Sequence, residues 1–138
     1  MTAGYSGTPL TKKLSLKNGM RVWWDNVPDR VRGEICAGLE DQGAAVQLLD
    51  APDAPIDAAH IFVTSRAAME DKLITLRDLL APGGFIWVSW PKKASKVPTD
   101  VTEDTIREIC LPMGLVDVKV CAIDAIWSGL KLMRRRTA

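Results

Sequence analysis

Residues 79–90, which read Leu-Leu-Ala-Pro-Gly-Gly-Phe-Ile-Trp-Val-Ser-Trp, constrain the fold more than any other stretch of the chain. From Phe85 to Trp90 every position but Ser89 is apolar. A strand with one face in water would alternate. An unbroken run therefore predicts a strand covered on both faces, as in a parallel sheet with helices above and below. The preceding segment has the other period. Ser65 is followed by Met69, Leu73, Leu76 and Leu80 at helical spacing, which predicts a capped helix with one apolar face. Pro82-Gly83-Gly84 between the two reads as a turn. Helix, turn and buried strand make one unit of an α/β fold.

The same alternation runs through the rest of the chain. Thr8 caps a short helix with Pro9 at its first position; it reaches about Leu16 and stops at Asn18-Gly19. Met20 to Trp24 is a first strand, Asp29 to about Leu39 a helix interrupted by Gly33 and Gly38, Ala44 to Leu49 a second strand, and Ala58 to Val63 a third. Residues 51–57 carry Pro52 and Pro55 and are excluded from a helix. Thr102 caps a further helix, with Glu103 and Asp104 in its first turn, ending near Pro112-Met113-Gly114. Val116 to Ile123 and Trp127 to Met133 are two strands joined by a short turn, so they pair antiparallel. No repeat or long linker divides the 138 residues. One domain spanning 1–138 is expected, with residues 1–7 mobile or draped over it.

Composition excludes several classes. A formal net charge of +1 sets up no global field toward nucleic acid or acidic lipid. Cys36, Cys110 and Cys121 are odd in number and lack C-x-x-C spacing, which argues against a disulfide framework or a zinc knuckle, and no metal site is expected. No stretch approaches the roughly 20 apolar residues of a membrane span. The N-terminus has no signal-peptide pattern, and the default compartment is the cytoplasm.

Two features carry a resemblance. Leu79-Leu80-Ala81-Pro82-Gly83-Gly84 followed by Phe85-Ile86-Trp87-Val88-Ser89 is similar to the L-x-P-G-G junction of the Rossmann-like methyltransferases, and the closing hairpin, Val116 to Arg134, resembles theirs. The resemblance implies a three-layer sandwich on a mostly parallel six-stranded sheet of order 2-1-3-4-6-5, with an antiparallel C-terminal hairpin. Four further segments, Gly4 to Leu10, Phe62 to Arg66, Trp87 to Ser95 and Trp127 to Lys131, are similar to a small bacterial family known only as a domain of unknown function. The chain departs from the methyltransferase pattern in two places. The usual third strand and its helix have no room between Asp50 and Ala58, so that crossover is nearly bare chain, reaching at most about 30 Å. The turn after the first strand, Asp25-Asn26-Val27-Pro28-Asp29, has no glycine, where an S-adenosylmethionine site uses a glycine-rich loop. Val27 and Pro28 would crowd such a cofactor.

In open parallel sheets ligands lie beyond the carboxyl ends of the strands, at the switch point. That rule selects Asp25 and Asn26, with Asp50 either forming the turn or standing at the position whose acidic residue the resemblance implies binds ribose hydroxyls. It also selects Thr64, Ser65 and Arg66 at a helix start, which suits an anion or simple capping. Ser89, Lys92, Lys93, Ser95 and Lys96 complete the set, as an anion site or a solvated basic loop, with Trp90 as a stacking face. His60, the one histidine, lies inside a strand, and nothing in the spacing of the acidic residues selects a base. Two more basic clusters are Lys12-Lys13 and Arg134 to Arg136, the latter read as a solubilising tail.

The leading expectation from sequence is a non-catalytic or regulatory domain that binds a small anionic molecule or a protein partner, with no cofactor. The alternative is an S-adenosylmethionine-dependent methyltransferase-like enzyme. A nucleic-acid-binding module is a second alternative.

Overall fold

The computed structural model describes residues 8–135. The expectations for residues 1–7, including the Tyr5-Ser6-Gly7 segment, and for Arg136 lie outside the described residues. The elements are α1 (Leu10–Lys13), β1 (Arg21–Asp25), α2 (Asp29–Asp41), β2 (Gln47–Leu48), β3 (Ile56–Phe62), α3 (Arg66–Leu79), β4 (Leu80–Pro91), α4 (Glu103–Cys110), β5 (Leu115–Ala122) and β6 (Trp127–Arg134). They form a six-stranded sheet of order β2-β1-β3-β4-β6-β5. The first four are parallel; β6 runs antiparallel to both β4 and β5. This is the expected Rossmann-like methyltransferase arrangement.

Alternation along the central strands divides the core. Ala59, Ile61, Ile86, Val88 and Trp90 pack with Met69, Leu73 and Leu76 of α3 and with Ile106 and Ile109 of α4. Ala58, Phe62, Phe85 and Trp87 pack with Leu10 of α1, Leu14 just beyond it, and Val31, Ile35 and Leu39 of α2. Both faces of β3 and β4 are therefore covered, which is why these strands are apolar nearly throughout. Trp90 is only 8% exposed and belongs to the α3/α4 layer. It offers no stacking face to a ligand.

Four local expectations are corrected. The first helix ends at Lys13 rather than Leu16, and Pro9, not Thr8, stands at its N-cap with no side-chain cap. Ser15 enters the left-handed region at φ 61°, which stops the helix early. The segment 44–49 yields only a two-residue strand, Gln47–Leu48. Third, β3 starts at Ile56, two residues before the expected boundary. Finally, Pro82-Gly83-Gly84 lies inside β4. Leu80 already pairs with Ile56, and pairing resumes with Phe85 beside Ala58, so residues 81–84 bulge out of the ladder.

Arg21 secures the short crossover between β2 and β3. Its backbone N–H donates to Asp57 Oδ2 at 2.8 Å and its guanidinium donates to the carbonyls of Pro55 at 2.7 Å and Asp53 at 3.3 Å. Arg134 does similar work at the far end of α3, donating to the carbonyls of Arg77 and Leu80. It is thus an anchor rather than part of a free tail.

Capping follows the expected chemistry. Ser65 Oγ accepts from the Ala68 N–H at 3.3 Å, and Thr102 Oγ1 from the Thr105 N–H at 3.1 Å. Replacing Thr102 with alanine is expected to cost about 1 kcal/mol, read as a lower urea midpoint with an unchanged slope.

Candidate functional site

The carboxyl ends of β1 and β3 lie side by side, with Asp25 in register with Ile61. The Asp25 side chain is partly buried and makes an ion pair with Lys72 of α3. Burial lowers the Lys72 pKa, and the facing carboxylate matches its charge. Asn26 follows at φ 58°, the left-handed conformation that a glycine loop normally supplies. Val27 turns inward and packs on the α1/α2 core. The β-branch expected to crowd a ligand is spent on packing instead. Pro28 opens α2, whose first turn has no side-chain cap. On the α2 side of the sheet the Arg32 guanidinium carbon sits 4.9 Å from the centre of the Trp24 ring.

Asp50 is exposed just beyond β2. Its carboxylate makes no hydrogen bond or ion pair among the described residues.

Thr64, Ser65 and Arg66 are exposed at the start of α3. The Arg66 N–H donates to Asp100 Oδ1 at 2.7 Å, and Thr99 Oγ1 donates to the Thr64 carbonyl at 2.8 Å. The chain's own carboxylate thus sits where a helix N-terminus attracts an anion. The Arg66 guanidinium faces Glu108 at 3.5 Å, with both side chains half exposed.

The loop after β4 is more open. Lys92 is the tied member: its Nζ donates to the Asp124 carbonyl at 2.7 Å, bracing the β5–β6 turn. Ser95 Oγ donates to the Lys92 carbonyl at 2.6 Å. Lys93 and Lys96 are exposed. Ser89 lies elsewhere. It is fully buried, with its Oγ 2.7 Å from His60 Nε2. His60 stacks on Phe62 at 4.5 Å, and burial pushes its pKa down to about 3. The pair is an enclosed polar contact in the α1/α2 layer, and a neutral, sealed imidazole takes no part in chemistry at the edge.

The structure therefore brings Asp25 and Asn26 to one edge with the Thr64–Arg66 turn and the 92–96 loop, and places Asp50 beside them past β2. Sequence reasoning missed Lys72 and Asp100. Lys72 falls beside the apolar face of α3, one position before Leu73, and that is the only local signal; its partner is 47 residues away. Among the described residues, no group of three or more His, Cys, Asp or Glu side chains could hold a metal ion. No helix among them is long and apolar enough to cross a membrane.

Residues 11–136 match a family described as "Protein of unknown function (DUF3052)". The chain belongs to this family. No curated protein matches it. Solved structures do. A SAM-dependent methyltransferase from Aquifex aeolicus is 16% identical, with 91% of the DUF3052 chain and 87% of the other covered and a TM-score of 0.61. The CcbJ methyltransferase from Streptomyces caelestis is 10% identical, with 92% and 88% covered and a TM-score of 0.62. Fibrillarin from Aeropyrum pernix, solved with natively bound S-adenosyl-L-methionine, is 13% identical, with 94% and 70% covered and a TM-score of 0.52. At such identities the likeness is one of fold.

Proposed function

We propose that this domain binds S-adenosylmethionine across the carboxyl edge of β1 and β2 and acts as a small methyltransferase-type domain. One observation carries the proposal: the strand order, with the reversed β6 inserted between β4 and β5, matches that of methyltransferases over nine-tenths of the chain. The turn geometry fits the cofactor better than its sequence suggests. Asn26 adopts the left-handed bend, Val27 leaves the edge for the core, and the first turn of α2 is uncapped. Asp50, at the end of β2 and without a partner among the described residues, would take the ribose hydroxyls. Lys72 holds the Asp25 carboxylate on the α3 face, fixing the floor of the edge. The cofactor would supply an electrophilic methyl group; the chain's residues bind and orient it.

The test is stabilisation by ligand. S-adenosylmethionine or its homocysteine product at 100 times the dissociation constant should add about 2.7 kcal/mol, seen as a raised melting temperature that Asp50→Ala removes. An unchanged melt at millimolar levels of both compounds would reject the reading.

A second reading keeps the scaffold without catalysis. It is a regulatory domain that binds a small anion or a protein partner through Arg66, Lys93 and Lys96. The observation in its favour is Asp25, whose carboxylate is already neutralised by Lys72. Under that reading phosphate or sulfate stabilises the fold, and S-adenosylmethionine does not.

A further inference from the structure

A second cleft opens at the opposite, amino edge of the sheet. Lys12, Ser15, Lys17, Gln42, Gly83 and Lys131 line it together with Met20 and Phe85, around a space of about 570 Å³. That volume is typical of a small-molecule site. Among the described residues, three of those lining it are lysines and none carries a carboxylate. Glu40 and Asp41 precede Gln42 on the last turn of α2, yet neither reaches the cleft wall.

Lys131 is held in place. Its Nζ donates to Ser15 Oγ at 3.1 Å and lies 4.3 Å from the centre of the Phe85 ring. Ser15 is itself in the left-handed bend that ends α1, so helix and strand bring the two groups together. Lys119 of β5 is in register with Lys131 of β6. Like charges directly opposite on one sheet face repel. Burial, Lys119 and Lys17 together push the Lys131 ammonium below its ordinary range. A positioned cation faced by like charges, in a cleft lined by no carboxylate among the described residues, gains most from a ligand with more than one negative charge.

We propose that the cleft formed by Lys12, Ser15, Lys17 and Lys131 binds a small phosphorylated metabolite, with Lys131 and Ser15 as the central contacts. The site is distinct from the carboxyl edge and does not depend on the methyltransferase reading. A net charge of +1 supplies no field to gather a nucleic acid, and the cleft is metabolite-sized.

Titrating pyrophosphate and ADP into the full chain, followed by calorimetry and amide NMR, tests this. The expected result is saturable binding, weakened by added salt, with shifts concentrated at 15–20, 83 and 131–133. Lys17→Ala, an exposed change that leaves the fold intact, should weaken binding about tenfold, as should Lys131→Gln. No saturation by either probe would overturn the proposal. So would shifts centred on 92–96, or affinity confined to a short RNA oligonucleotide.

Discussion

Replacing Gly84 with alanine is expected to destabilise the domain by about 2–3 kcal/mol. A Cβ at this position would stand 2.7 Å from the Ile56 carbonyl oxygen and 2.9 Å from that of Ala81. Both are backbone atoms. Neither can rotate aside, and Ile56 is fixed by its pairing with Leu80 at the mouth of the bulge. Relief requires moving the start of β3 away from β4, where Ile56, Leu80 and Ile86 share one core. The measurement is a urea melt of the variant beside Gly33→Ala. Gly33 lies in α2 with nothing within 4 Å of its would-be Cβ, so alanine there should stabilise by about 0.5–1 kcal/mol. Equal midpoints for the two variants would show that the bulge yields freely.

Acidification below pH 6.5 is expected to cost the fold roughly 1 kcal/mol per pH unit from His60 alone. Its ordinary pKa is 6.5, and burial lowers it to about 3 in the folded chain. Between those values the unfolded chain binds a proton at this residue and the folded chain does not. Stability from His60 is thus full above pH 6.5 and falls as pH drops through that window toward 3. The loss reaches roughly 3 kcal/mol by pH 4. His60→Gln keeps a hydrogen-bonding partner for Ser89 while removing the titration. Urea melts at pH 7, 6, 5 and 4 should show a shallower acid limb in the variant. Parallel limbs would mean that the imidazole accepts a proton without unfolding.

The buried strand β4 and the closing hairpin were legible in the residues themselves, while the full sheet order was what the resemblance implied. Phe85 to Trp90 is apolar on both faces, and the short turn before Trp127 admits only an antiparallel partner. The bulge at 81–84 was not. Proline and two glycines read locally as a turn, and only the pairing of Leu80 with Ile56, across the sheet, makes them part of a strand. The candidate site divides in the same way. Asp25 and Asn26 follow from the switch-point rule, which needs only the order of elements, and Asp50 from the resemblance. Lys72 and Asp100 do not, since each meets its partner through tertiary packing. Ser89 was placed by position in the chain, whereas the facing direction of its side chain depends on the pleat. Val27 was read as an obstruction because the left-handed bend at Asn26, which precedes its packing on the core, has no sequence signal as plain as a glycine.

The insertion of β6 between β4 and β5 also governs when this chain can fold. β5 leaves the ribosome before β6 and has no strand to join until residues 127–134 emerge. Meanwhile the outer edge of β4, from Phe85 to Trp90, waits with backbone groups unpaired beside three large aromatic side chains. The nascent chain therefore carries this edge uncovered until residues 127–134 have been made, and it is at this stage, rather than in the folded sheet, that a chaperone would have most to shield.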